Sequence, residues 1–122
     1  MRINRTFQKM LESAEGQQVL ALARRRRREL IAVASVNSAP VQILADDVAA
    51  ILPTIVKPKP GHTETAAARR VRYRQRQFVG AVVGAVMDEN GWQVKRQGGR
   101  IPSDNPVFSV GSTFRRKPER SQ

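Results

Sequence analysis

Five arginines fall within eight residues in the stretch Arg69-Arg70-Val71-Arg72-Tyr73-Arg74-Gln75-Arg76-Gln77, and no acid interrupts them. A guanidinium stays charged and presents a planar fork of donors, so it can hold a phosphate or read a guanine edge with two hydrogen bonds. The amides of Gln75 and Gln77 can do the same for adenine. A second run, Arg24-Arg25-Arg26-Arg27-Arg28, offers the same cations without the amides. Lys95, Arg96 and Arg100 form a third basic group, and Arg115 and Arg116 a fourth. These types suit polyanion binding. Bond-making chemistry is poorly supplied: there is no cysteine, and the single histidine, His62, lies in a polar, solvated stretch. No glycine-rich phosphate loop precedes a Lys-Ser/Thr pair. Asp46-Asp47 could suggest a metal or a general acid, but nothing clusters with them in sequence, and the start of a helix accounts for both. The chain is therefore expected not to be an enzyme and to need neither metal nor cofactor.

The overall balance points the same way. Over 122 residues the net charge is +12, which makes the surface attract phosphate and repel itself. An acidic membrane surface would compete for such a chain, but no run of about 18 apolar residues exists to span a bilayer. Hydrophobic residues make up 40% and aromatics only 5%, so the core must be mostly Val, Leu, Ile and Ala. The length suits one domain with tails. The first residues lead into a mixed polar helix and not into an apolar signal core, and cysteine is absent. A cytoplasmic protein is expected, nucleoid-associated if it binds DNA.

The elements that must position the cations can be read in order. Residues 5–34 are rich in helix formers, with apolar residues near helical spacing and Gly16 as the expected break, Ser13 or Glu15 opening the second part. Five consecutive helical residues sweep about 400°, so Arg24 to Arg28 cannot share a face. Arg26 falls on or near the apolar stripe and must snorkel from it. Val41-Gln42-Ile43 alternates as a short strand would. A helix over 46–52 follows, with Asp46 as N-cap and Pro53 as its end. Residues 54–65 read as a Lys/Pro linker loop, extended where lysine and proline alternate. Thr63 or Thr65 then caps a helix from about Ala66, with Glu64 near its positive end. Residues 71–77 alternate in period two, but the alanine triplet before them and Phe78, Val82 and Val86 after them argue for helix. Gly80 and Gly84 would flatten one face for close approach, and Asn90-Gly91 is a strong stop. A strand over 92–97, a turn at Gly98-Gly99, a loop over 102–106 and a strand over 107–114 complete the chain, with Gly111 as a bulge. From Arg115 onward a basic tail is expected.

That order, with the phrase Ile43-Leu44-Ala45-Asp46-Asp47-Val48, then Gly80-Ala81-Val82 and the hairpin after Gly91-Trp92, resembles the winged helix-turn-helix family. It is similar to small winged-helix proteins of phages and mobile elements over residues 17–116. The resemblance implies an α+β fold: a three-helix core plus a C-terminal two-stranded β-hairpin wing. An extra N-terminal helix lies in 1–16 and a basic flexible tail in 117–122. It implies that the third helix enters the major groove while the wing touches adjacent backbone. Carried over, the groove-facing residues are Arg69, Arg70, Arg72, Arg74, Arg76, Gln75 and Gln77, and the wing contributes Lys95, Arg96 and Arg100. Arg24, Arg25, Arg27, Arg28, Arg115 and Arg116 are secondary phosphate contacts. The connection between Leu52 and Ala66 departs from the family, where three or four residues are usual.

The function expected is nucleic-acid binding, duplex DNA before RNA, in a regulator of transcription or an accessory factor of a mobile element. Single-strand recognition by stacking is not encouraged, since Tyr73, Trp92, Phe78, Phe108 and Phe114 are few and suited to a core. A protein-interaction module docking on an acidic partner is the alternative. The apolar side formed by Phe7, Met10 and Leu11 suits either the chain's own domain or a second copy.

Overall fold

Helix α1 (Gln8–Glu12) and helix α2 (Ala14–Arg25) meet at an extended Ser13, which closes one and opens the other. The Ser13 hydroxyl donates to the Met10 carbonyl at 2.6 Å and accepts from the Gly16 N–H at 3.0 Å, so one side chain serves both helix ends. The break thus lies at Ser13 and not at Gly16. The glycine matters for a different reason. It is buried in the first turn of α2, where a Cβ would stand 1.7 Å from the Met10 carbonyl oxygen. Only a residue without a side chain lets the two helices turn this tightly. Phe7, Met10 and Leu11 pack on the chain's own core, and the Phe7 ring lies 6.1 Å from that of Phe78. This computed structural model describes residues 3–96 and 98–119; part of the expected tail, residues 120–122, lies outside the described residues.

A second break falls at Arg26, inside the arginine run, and helix α3 (Arg27–Ser35) follows it. Arg26 does sit at the border of the apolar stripe, but it does not simply reach for solvent. Its guanidinium donates to Glu29 at 2.5 Å, to Asp47 at 2.9 Å and to the Ile43 carbonyl at 3.0 Å, joining the start of α3 to the next helix and the turn before it. The expected strand at Val41-Gln42-Ile43 is instead a 3₁₀ turn, Pro40–Leu44. Proline opens it with φ already set, and Val41 and Leu44, three apart, are both buried. Helix α4 (Ala45–Ile51) runs on directly from this turn, so Leu44 stands at the N-cap without a side-chain bond. Asp46 is therefore not the cap; it and Asp47 lie in the first turn, where the helix dipole favours them. Pro53 ends α4 in a further 3₁₀ turn, Pro53–Ile55.

Helix α5 (Ala66–Glu89) is the spine. Thr65 caps it, accepting from the Ala68 N–H at 3.1 Å, and it stops at Asn90 with Gly91 in the left-handed region at φ +83°. From Phe78 onward it buries Phe78, Val79, Val82, Val83, Val86 and Met87 in one core with Val19 and Leu22 of α2, Leu30 of α3 and Val48 of α4. Full burial of each such side chain is worth about 1.5–3 kcal/mol, so this half is firmly anchored. Before Phe78 the only buried residue of the helix is Arg72. Gly80 and Gly84 do not receive a neighbour: a Cβ at either would meet nothing within 4 Å. No helix among the described residues is long and apolar enough to cross a membrane.

The remainder is an antiparallel ribbon, which makes the fold mixed α+β. Strand β1 (Trp92–Val94) and strand β2 (Arg100–Pro102) form one side; strand β3 (Val110–Ser112) and strand β4 (Phe114–Arg116) form the other. Val94 faces Phe114, and Arg100 faces Ser112. Between these pairs Thr113 serves two residues at once, accepting from the Lys95 N–H and donating to the Gly99 carbonyl. Arg96 and Gly98 are thereby left out of the ladder. Gly98-Gly99 is therefore no hairpin turn. The turn is the later loop, where the Asn105 side chain accepts from the Val107 N–H at 2.7 Å. Gly111 is no bulge either; it pairs with Ile101, and its Cβ would stand 2.4 Å from that of Ala39. Arg115 and Arg116 belong to β4 and not to a tail.

Two glycine substitutions separate these packing claims. Gly16→Ala should destabilise the protein by about 3 kcal/mol, the upper part of the overpacking range, because backbone must move. Gly84→Ala should stabilise it by about 0.5–1 kcal/mol through helix propensity alone. Chemical denaturation measures both, and equal effects would be incompatible with the tight turn at Ser13.

Candidate nucleic-acid interface

The first half of α5 has no hydrophobic anchor, and a polar strap holds it. In the segment before the helix, the Lys57 N–H donates to the Pro106 carbonyl at 2.9 Å, and the chain turns back at Gly61, φ +89°. It then presents Glu64 to the helix. The carboxylate accepts from Arg72 Nε and Nη2, both at 2.9 Å, and Arg72 is 4% exposed. A planar fork meets a planar carboxylate, the strongest geometry such a pair can have. The hydrogen bonds from Arg72 hold the Glu64 carboxyl below its ordinary range, and those to Glu64 raise Arg72. Arg69 Nε lies 3.7 Å from the same carboxylate, with most of its side chain exposed.

Two further residues of the expected reading set are also turned inward. Arg76 donates to the Pro106 carbonyl at 3.1 Å and reaches Ser109 Oγ at 3.4 Å, while its Nε is buried without a partner. Burial lowers its affinity for the proton, and the charge of Arg72 adds to that. Gln75 accepts from the Thr54 hydroxyl at 2.9 Å. The cause is helical register: counting back from Val86, Val83 and Val79 by threes and fours lands on Arg76, Gln75 and Arg72. Arg72, Gln75 and Arg76 thus tie the helix to its surroundings and do not belong to its outer face. Pro106 is the shared node, since strap and helix both donate to its carbonyl.

What stays outside is a shorter row. Arg70, Arg74 and Gln77 are exposed and follow one another at helical spacing on α5. At Gln77 the row borders the ribbon, and α5 and the ribbon enclose a groove of about 330 Å³ that Gln77 and Arg100 both line. Arg96 is exposed where the ladder is interrupted. Lys95 is engaged by Asn37 Oδ1.

The other basic groups are partly committed. Arg24 bonds Glu89 at 2.9 Å, which raises the arginine and lowers the acid, and Arg27 donates to the Arg24 carbonyl at 3.2 Å. Arg25 and Arg28 are exposed. Arg115 faces the Gln93 amide oxygen at 3.0 and 3.1 Å in the amide orientation that suits both, and Arg116 is exposed. Asp47 is occupied by Arg26, and no three acidic or histidine side chains converge among the described residues. From sequence alone Glu64 reads only as a helix-dipole acid. Its spacing of eight residues from Arg72, about two turns of a helix folded back by a strap, is the signal that points to the pair.

The Glu64–Arg72 pair has a pH signature. A carboxyl whose folded pKa is depressed contributes stability above the unfolded value of about 4.3, and loses it as pH falls through the folded value. The denaturation midpoint should therefore fall between neutral pH and pH values below the carboxylate range. Glu29 and Glu89 are lowered in the same sense, by Arg26 and Arg24. In Glu64→Gln that fall should be shallower, and amide hydrogen exchange across the first turns of α5 should quicken. A variant with the parent's pH profile and exchange pattern would contradict the clamp. Comparison with protein-family models, curated proteins and solved structures finds no match to this chain, so what the surface binds has to be argued from its own side chains.

Proposed function

We propose that this chain binds duplex DNA through the outer row of α5 and the ribbon beside it, in the manner of a winged helix with α5 in the major groove and the ribbon as wing. The observation that carries the reading is the row Arg70, Arg74 and Gln77: exposed, at helical spacing, on a helix whose rotation is fixed by Glu64–Arg72 and Arg76–Pro106. A helix of about 10–12 Å diameter fits a major groove about 12 Å wide, provided one side is free of its own domain. The first half of α5 meets that condition. Arg96 and Arg100 then suit the neighbouring phosphates, while Arg25, Arg28 and Arg116 add peripheral charge. Three outward residues are few for reading sequence, so the reading favours an accessory or architectural role at the nucleoid over a highly selective regulator.

Binding should be dominated by counterion release. With about six phosphates neutralised, affinity should drop about 10³-fold between 50 and 200 mM salt. Replacing Arg70 and Arg74 together by alanine should cost at least tenfold and reduce the salt slope by about two. The pair Arg25 and Arg28 should cost less. Fluorescence anisotropy with a labelled duplex, and structured RNA as competitor, measures all of this. Binding indifferent to salt, or equal losses for the two pairs, would leave only a generally charged surface.

A further inference from the structure

The groove between α5 and the ribbon contains features that duplex contact leaves unused. Tyr73, Val94 and Val110 line it while remaining 49%, 50% and 46% exposed, so large apolar surface from both sides meets there. The Tyr73 ring is held in place by two guanidiniums, Arg72 at 5.0 Å and Arg76 at 5.8 Å from its centre. Arg76 also lines the groove. It donates to a carbonyl and a hydroxyl, and its Nε is shielded and unpaired. Arg100 lines the ribbon side, and none of the described residues lining the groove is acidic. Such a cleft suits a ligand that is flat and apolar at one end and anionic at the other.

We propose that the groove receives one unpaired nucleotide of the bound nucleic acid, its base against Tyr73 between Val94 and Val110 and its phosphate toward Arg76 and Arg100. The proposal rests on the nucleic-acid reading above and adds a preference to it. Size favours a nucleotide over a partner helix: about 330 Å³ is at the small end of ligand pockets, whereas a helix needs anchors over several turns. Scarcity of aromatics argues against tracking a long single strand, but one ordered ring is enough for one base. An unpaired nucleotide is also the one that leaves a stack at least cost.

The test compares a perfect duplex, the same duplex with one unpaired central thymidine, and thymidine 5′-monophosphate alone. The bulged duplex should bind about tenfold tighter, the lower part of what base–aromatic stacking supplies. Tyr73→Ala should remove that gain and leave perfect-duplex affinity unchanged, while Tyr73→Phe should retain it. Val110→Asp, on an exposed strand position, should also remove it, and thermal melting checks that each variant folds. Equal affinity for the two duplexes overturns the groove proposal and leaves duplex binding intact. If neither duplex binds, the functional reading fails, and the monophosphate decides the groove. Amide shifts at Gly80, Val94 and Val110 on its addition would uphold a nucleotide site, and their absence would overturn it. Displacement of the bulged duplex by an acidic amphipathic peptide, with shifts at the same amides, would assign the groove to a protein partner instead.

Discussion

The ion pair between Glu64 and Arg72 fixes what the rest of the surface can do. A helical segment of about twelve residues without an apolar packed face is marginal in water, and the first half of α5 is such a segment. A buried pair of this kind contributes little net stability once desolvation is counted, but removing either partner strands a charge. Its effect is on geometry. With Arg72 held inward by the strap, Arg70 and Arg74 must point outward, and the second tie, Arg76 to Pro106, sets where the ribbon loop lies against the helix. Helix, strap and ribbon loop are joined through these polar bonds beside the core that Val107 and Phe108 enter.

The distribution of acids makes the same division. Glu29 and Asp47 are spent on Arg26, Glu64 on Arg72 and Arg69, Glu89 on Arg24 and Asp88 on Lys117. Asp88 and Glu89 close the C-terminal end of α5, where the helix dipole disfavours them, and the cations from α2 and the end of the ribbon offset that. Among the described ion pairs, Arg70 and Arg74 near the other end of α5 meet no acid, and the neighbouring Arg69 shares Glu64 with Arg72. A net charge of +12 is therefore less uniform than composition suggests. Positive potential concentrates where the chain has left cations uncompensated.

Much of the chain is legible from sequence because it is punctuated locally. Thr65 and Asn90-Gly91 bracket α5, Pro53 ends α4, and the lysine-proline stretch excludes regular structure. The misread places are those where a distant contact decides. Gly16 marks a close approach to the Met10 carbonyl, not a break, and no turn signal beside it says so. A three-residue alternation at 41–43 cannot distinguish a strand from a 3₁₀ turn with Val41 and Leu44 on one side. Gly98-Gly99 has the composition of a hairpin turn, yet the ladder re-forms through Thr113 and carries the ribbon on to a later turn at Asn105.

The five arginines show the same limit at the level of the site. Their types suit a polyanion, but type does not reveal which side of the helix each occupies. The clue lies farther along: Val79, Val83 and Val86 define the buried row, and its backward extension passes through Arg76, Gln75 and Arg72. Those residues are polar where the row should be apolar, so each must have a polar partner, and each has one in Pro106, Thr54 or Glu64. Arginine on the core row of a helix therefore marks a structural tie. Arginine off that row faces outward, which reduces five candidates for the outer face to Arg70 and Arg74 with Arg69 partly engaged. Tyr73 stands between these two sets, beside the ties and open to the groove. That position, more than the number of cations, is what gives this helix a feature a simple basic surface would lack.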